Sequence, residues 1–257
     1  TEQYPDVKIT VLTKEFFKPI FHGLANVNVH IADVKGVHNG LFGLIKLYKE
    51  LKSENIDAVA DLHNVLRSNI LKFLFKTGGI RFAQIDKGRS EKKALISGHQ
   101  SYFKPLKTTH QRYCDVFDEL CFSVSPTSSS ILKQVPLQGR LAQIFKDSKT
   151  YIGIAPFAAY KSKTYPLHLI EQVIAQLNTQ NSYKILLFGG GKKELEQLSE
   201  LENSYTNVCN ISAILSFEEE LQVISNLDVM VAMDSGNGHL SAMYGVPTIT
   251  LWGVTHP

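Results

Sequence analysis

Residues 228–252 constrain the fold more than any other part of the chain. An apolar run, Val229 to Met233, breaks into Asp234-Ser235-Gly236-Asn237-Gly238-His239. A helical pattern then runs from Asn237 to Tyr244, with its apolar part beginning at Leu240. Gly245 and Pro247 stop it, and a second apolar strand runs from Thr248 to Trp252. Two strands joined through a helix are parallel neighbours in one sheet, since a parallel pair needs a crossover of this kind. The polar turn between strand and helix points several backbone N–H groups and a helix N-terminus at one spot. Such a spot suits an anion, for instance a diphosphate.

The same alternation runs through the rest of the chain. In the first half, strands are expected over Val7–Leu12, Val27–Ile31, Ile56–Asp61 and Gly79–Phe82. Helices are expected over Lys14–His22, Gly40–Ser53, Leu66–Lys76 and Thr108–Leu120. In the second half, strands are expected over Tyr151–Ala155, Tyr183–Phe188, Asn207–Asn210, Asp228–Met233 and Thr248–Trp252. Helices there cover Leu167–Asn178, Lys192–Glu202 and Phe217–Asn226, besides the one from Asn237. Between the halves lies Ser123 to Lys149, with Ser125-Pro126-Thr127-Ser128-Ser129-Ser130 and Pro136, and a domain linker is expected within it. Two α/β series split by a linker predict two Rossmann-like domains, residues 1–135 and 136–257. Ligands of such sheets sit at the carboxyl ends of strands, so the turns after strands carry the functional reading.

A chain of 257 residues, 44% apolar and 20% charged, has the balance of an ordinary soluble globular protein. No apolar run approaches the roughly 20 residues that span a bilayer. No signal-peptide pattern opens the chain. Cys114, Cys121 and Cys209 fit no metal or redox spacing and favour a reducing, cytoplasmic setting. Basic charge concentrates between Arg81 and Arg112, where Arg81, Lys87, Arg89, Lys92, Lys93, Lys104, Lys107 and Arg112 face only Asp86 and Glu91. This net +6 suits a phosphorylated substrate or an anionic membrane surface, or is simply a solvated loop. No recognition motif for nucleic acid accompanies it.

Four turns of the second half are candidates for chemistry. After Tyr151–Ala155 comes a stretch of small residues leading to Lys161, Lys163 and Pro166, where a lysine neutralises phosphate or faces solvent. Gly189-Gly190-Gly191 lacks the G-x-G-x-x-G spacing of nicotinamide or flavin sites, but leaves room for a nucleotide's base or ribose. Ser216 and Glu219 form a capping box, a structural assignment. In Asp234 to His239, two glycines, two capping residues and a histidine exceed what a helix cap requires. Ser235 and the adjoining amides suit phosphate oxygens there, with His239 as a further donor. In the first half, Asp61, His63 and Arg67 follow a strand and invite a catalytic reading. Asp61 to Asn64 serve equally as the cap of the next helix. No Asp-x-Asp, H-E-x-x-H, Walker or G-x-S-x-G motif appears, so neither a dedicated metal nor a cofactor is indicated.

These residues resemble glycosyltransferase family 9, the bacterial lipopolysaccharide heptosyltransferases and their relatives. D-S-G-N-G-H is similar to the family's Asp-(Ser/Thr)-Gly-x-x-His, and L-S-A-M-Y-G-V-P-T-I-T-L-W-G to its following helix, Gly-x-Pro and strand. Lys163-Thr164-Tyr165-Pro166 resembles its Lys-x-Trp-Pro, and Asp61 through Arg67-Ser68 its first-domain segment. The resemblance implies the α/β GT-B fold, two Rossmann-like domains facing a cleft. It implies an acceptor domain in the first half, incomplete at its start, and a donor domain in the second, incomplete at its end. It implies metal-independent, inverting transfer of a heptose-like sugar from an ADP-sugar to a lipopolysaccharide core or related cell-envelope glycan. Lys163, Glu194, Asp234, Ser235, Gly236 and His239 would then hold the donor, with Glu194 at the ribose. Asp61, His63, Arg67, Arg89 and Lys92 would meet an anionic glycolipid acceptor, at or near the cytoplasmic face of the inner membrane. The family's catalytic base lies in a loop after its first strand, upstream of any segment matched here, so no base is assigned. Two other readings stay open: a nucleotide-sugar epimerase or isomerase of the same fold, and a non-catalytic nucleotide-sugar-binding module.

Overall fold

The computed structural model describes residues 3–97, 105–125 and 131–253. The chain divides into two compact units, Thr1–Ser129 and Ser130–Pro257. The division falls earlier than the expected 135/136 boundary. Leu132 N–H donates to the Met243 carbonyl and Val135 N–H to Ser225 Oγ, so these residues are already tied to the second unit. Residues 126–130 of the expected linker lie outside the described residues.

In the first unit, β1 (Ile9–Thr13) pairs in parallel with β2 (Val27–Ile31), in register Ile9 with Val27. After α1 (Gly40–Ser53), β3 (Ala58–Asp61) and then α2 (Leu66–Thr77), β4 (Arg81–Gln84) pairs in parallel with β3. The segment expected as a helix over Lys14–His22 is a 3₁₀ turn, Glu15–Phe21, with Pro19 inside it. Proline has no N–H to continue an α-helical ladder. On α1, Leu44, Leu47 and Leu51 fall on one face and are buried with Leu71 and Phe75 of α2 and Phe82 of β4. The next residue, Ala83, points to the opposite face and packs with Val116 of α4 (Thr109–Glu119), as strand alternation requires. A short helix not foreseen from the sequence, α3 (Arg89–Leu95), lies between them.

The second unit is one five-stranded parallel sheet in the order β7-β6-β5-β8-β9. Its strands are β5 (Thr150–Ala155), β6 (Tyr183–Leu187), β7 (Val208–Asn210), β8 (Val229–Met233) and β9 (Thr248–Leu251). The helices are α5 (Arg140–Ile144), inside the stretch expected to contain the linker, then α6 (Leu167–Asn178), α7 (Lys192–Ser204), α8 (Phe217–Ile224) and α9 (Gly236–Met243). Side-chain alternation sorts the core onto two faces. Ile152 and Ile154 of β5 and Ile185 and Leu187 of β6 meet Ile170 and Ile174 of α6 and Leu198 of α7. Tyr151, Leu186 and Met230 face the other way, toward Leu141 of α5 and Val223 and Ile224 of α8. The strand order reverses direction between β5 and β8, and a crevice opens outside the carboxyl ends of two such strands. Among the described residues, no helix is long and apolar enough to cross a membrane.

Candidate functional site

The turns that follow β5, β6 and β8 converge at this reversal point. Ala155, Phe157, Ala158 and Ala159 after β5, Phe188 to Gly190 after β6, Glu194 of α7, and Ser235 and Asn237 after β8 line a solvent-open hollow of about 190 Å³. Lys163 Nζ donates to Asp234 Oδ2 at 2.5 Å, with both side chains mostly shielded. His239 Nε2 stands 3.8 Å from Asp234 Oδ1 while the ring itself is largely exposed. One carboxylate therefore pairs with a cation from the β5 side and stands near an imidazole of α9.

Two further contacts hold the Lys163 turn in place. Tyr165 N–H points at the sulfur of Met233, the last residue of β8, at 3.2 Å. Gly253, after β9, packs its backbone against Ser162, and a Cβ there would stand 2.3 Å from the Ser162 carbonyl oxygen. Only glycine lets these two turns approach so closely.

Ser235 occupies the N-cap of α9 without making a side-chain cap. Its Oγ is buried and, among the described residues, has no hydrogen-bond partner. The first amides of a helix also lack intrahelical acceptors. An unspent hydroxyl and unspent amides at one helix N-terminus, beside a lysine, call for an acceptor-rich anion. Gly236 is the first residue of that helix, so its backbone faces the same spot.

The glycine loop is built more specifically than a flexible turn. Gly189 N–H donates to Ser212 Oγ at 2.7 Å, and Gly190 N–H to Glu194 Oε2 at 2.8 Å. Gly191 has φ 80°, in the left-handed region that glycine adopts without strain. Glu194 thus stands on the rim of the hollow with one carboxylate oxygen on the loop. Phe157, Asn237 and Ser212 were not singled out from the sequence. Asn237 sits inside the D-S-G-N-G-H run, whereas nothing local marks Ser212.

The first-unit candidates fare differently. Asp61 is buried; its Oδ1 accepts from the amides of His63 and Asn64, and its Oδ2 from Gln84 Nε2 at 2.7 Å. Burial pushes this carboxyl up, but hydrogen bonds from Gln84, Ser68, Asn64 and His63 outweigh burial and hold it below its ordinary value. Asp61 organises the turn after β3 and is poorly suited to accept a proton. The cap of α2 comes instead from Ser68, whose Oγ accepts from Val65 N–H. His63 and Arg67 are exposed in and after that turn. Arg89 and Lys92 are exposed on α3.

The basic stretch from Arg81 to Arg112 is not a uniform solvated patch. Arg112 is buried, and its guanidinium donates to the carbonyls of Lys107 and Asp86 and, at 2.5 Å, to Glu91. Lys107 pairs with Asp115, which lies just beyond the stretch. These two bases are spent on the fold, and Lys104 lies outside the described residues.

The model of glycosyltransferase family 9 (heptosyltransferase) matches residues 44–257, which include every element around the hollow. The chain is 26% identical over 248 residues to lipooligosaccharide heptosyltransferase 2 of Campylobacter jejuni, covering 90% of this chain and 75% of that one. It is 26% identical over 273 residues to the protein of the same name from Haemophilus influenzae, covering 99% and 77%. Among solved structures it superposes on the Escherichia coli ADP-heptose lipopolysaccharide heptosyltransferase II with TM-score 0.72 at 17% identity, covering 100% and 78%. At that identity the likeness is one of fold, the GT-B fold of paired α/β units with parallel sheets. With its family match spanning most of its length, the chain belongs to glycosyltransferase family 9, the heptosyltransferase family, and is a glycosyltransferase.

Proposed function

We propose that this enzyme transfers a heptose-like sugar from an ADP-sugar to a lipopolysaccharide core or a related cell-envelope glycan, with inversion and without a metal. The names of its relatives support heptose and the glycan, and the name of the Escherichia coli structure supports ADP. The observation that carries the donor reading is the buried Ser235 hydroxyl at the N-cap of α9, which has no partner among the described residues. In this reading, the diphosphate rests on Ser235, the amides from Gly236 onward and Lys163. His239 donates a further hydrogen bond, Asp234 aligns Lys163 and His239, and Glu194 meets the ribose.

Departure of a nucleoside diphosphate concentrates negative charge on its phosphates. Fixed N–H dipoles and an ammonium group stabilise that charge as it develops. The acceptor is an anionic glycolipid met by the first unit, with His63, Arg67, Arg89 and Lys92 as its contacts. Work at the cytoplasmic face of the inner membrane belongs to the same proposal. Asp61 is not assigned as the base, because both its oxygens are engaged.

Calorimetric titration with ADP, UDP, GDP and CDP, each with magnesium and with chelator, tests the donor. ADP is expected to bind equally in both conditions. Lys163→Ala and His239→Ala are each expected to weaken it roughly tenfold, about 1.4 kcal/mol. Unchanged affinity in both variants, or sugar conversion without any acceptor, would overturn the proposal.

A further inference from the structure

Asn237 is the second residue of α9 and lines the hollow beside Ser235 and opposite the glycine loop. Its Nδ2 donates to Glu220 Oε1, on the neighbouring helix α8, at 3.2 Å. Glu220 is half-buried and is not among the residues that line the hollow. Burial holds its carboxyl above the ordinary value, and the hydrogen bond from Asn237 offsets only part of that.

An ionised carboxylate only accepts hydrogen bonds, whereas an amide has a donor end and an acceptor end. Glu220 therefore selects the amide orientation: the NH2 group turns to the carboxylate, and the carbonyl oxygen is left for another donor. A carbonyl oxygen repels phosphate oxygens, so its partner in a nucleoside diphosphate is a neutral O–H or N–H. We propose that Asn237, held in one amide orientation by Glu220, is a specificity-determining residue that accepts a hydrogen bond from the nucleoside part of the donor. The group is a ribose hydroxyl or the amino group of the base. This rests on the nucleoside-diphosphate reading above and adds a contact that reads the nucleoside itself. Asn237 touches the ligand, and Glu220 acts through it as a positioning residue.

The test is calorimetric titration of the full chain with ADP, 2′-deoxy-ADP, 3′-deoxy-ADP and inosine diphosphate. Wild type, Asn237→Ala, Glu220→Ala, Glu220→Gln and Lys163→Ala are compared, with thermal midpoints recorded for each. Wild type is expected to prefer ADP over one analogue by roughly tenfold, about 1.4 kcal/mol. A deoxy analogue as the weak one identifies the ribose hydroxyl; inosine diphosphate identifies the amino group. In Asn237→Ala and Glu220→Ala that preference collapses, because ADP weakens and the deficient analogue does not. Glu220→Gln restores it, since a glutamine carbonyl still accepts from Nδ2. A preference that survives Asn237→Ala, or equal weakening of all four ligands, overturns the inference. If Lys163→Ala loses ADP while the Asn237 and Glu220 variants match wild type, the donor site stands and this contact falls. If wild type binds none of the four, both fall.

Discussion

Two serines at helix N-caps show how differently one residue type is used. Ser216 accepts from Glu219 N–H in a reciprocal capping box, as its sequence spacing predicts. Ser235 caps nothing with its side chain, and its hydroxyl is buried without a partner among the described residues. Ser216→Ala is expected to cost about 1 kcal/mol of stability. Ser235→Ala is expected to leave the thermal midpoint unchanged or raised, because it removes an unsatisfied buried hydroxyl, while weakening ADP roughly tenfold. Parallel thermal melts and titrations of the two variants separate cap from ligand site; a large loss of stability in Ser235→Ala would assign it to the fold instead. Glu219 gives a pH signature. Arg140 donates two hydrogen bonds to its carboxylate, at 2.8 and 2.6 Å, and Ser216 adds its amide and hydroxyl. With Arg140 as the main cause, the pKa falls from 4.5 to about 2. A depressed carboxyl contributes stability that is fully present above its unfolded value and lost as pH falls through the folded one. The stability gap between wild type and Glu219→Gln should therefore hold above pH 4.5 and close as pH falls to about 2. Denaturant midpoints across that range measure it, and a gap that stays constant would remove ionisation from the account.

At the scale of elements, the strands and helices of the second unit follow the sequence pattern closely. Leu167–Asn178 is helical over its full expected length, and β5, β6 and β8 end within a residue of expectation. The two helices that the pattern missed share a cause. The helices α3 and α5 are five to seven residues long and too short to show a period. They are held by contacts distant in sequence: Arg112 on Glu91 for α3, and the burial of Leu141 against the sheet for α5. Turn placement has the same character, since the post-β9 glycine fixes where Lys163 stands. Gly253→Ala is expected to lower stability by about 1–3 kcal/mol and to weaken ADP, because the added Cβ must push the Lys161–Lys163 turn away. Gly190→Ala, with no atom of the described residues within 4 Å of its Cβ, should leave the thermal midpoint nearly unchanged. Equal midpoints for the two variants would show that the Gly253 contact relaxes freely.

At the scale of the molecule, each unit has cores of its own, with Phe75 buried in the first and Ile174 in the second. Calorimetry of the intact chain should therefore resolve two transitions. ADP at a hundred times its Kd is expected to stabilise only the Ser130–Pro257 transition, by about 2.7 kcal/mol. Phe75→Ala should lower only the other, by about 3–5 kcal/mol. A single transition moved by both would mean that the units unfold together. The sequence by itself determined the α/β class and the polar glycine turn between β8 and α9. Those depend on periodicity, glycine and capping residues, which act over a few neighbouring positions. Tertiary structure alone decided the uses of Arg112, Asp61, Lys163 and Glu220. It spent Arg112 and Asp61 on the fold, joined Lys163 to Asp234, and set Glu220 against Asn237. Each of those pairings spans many residues of chain, and whether a charge is buried, paired or left for a ligand depends on what the fold brings beside it.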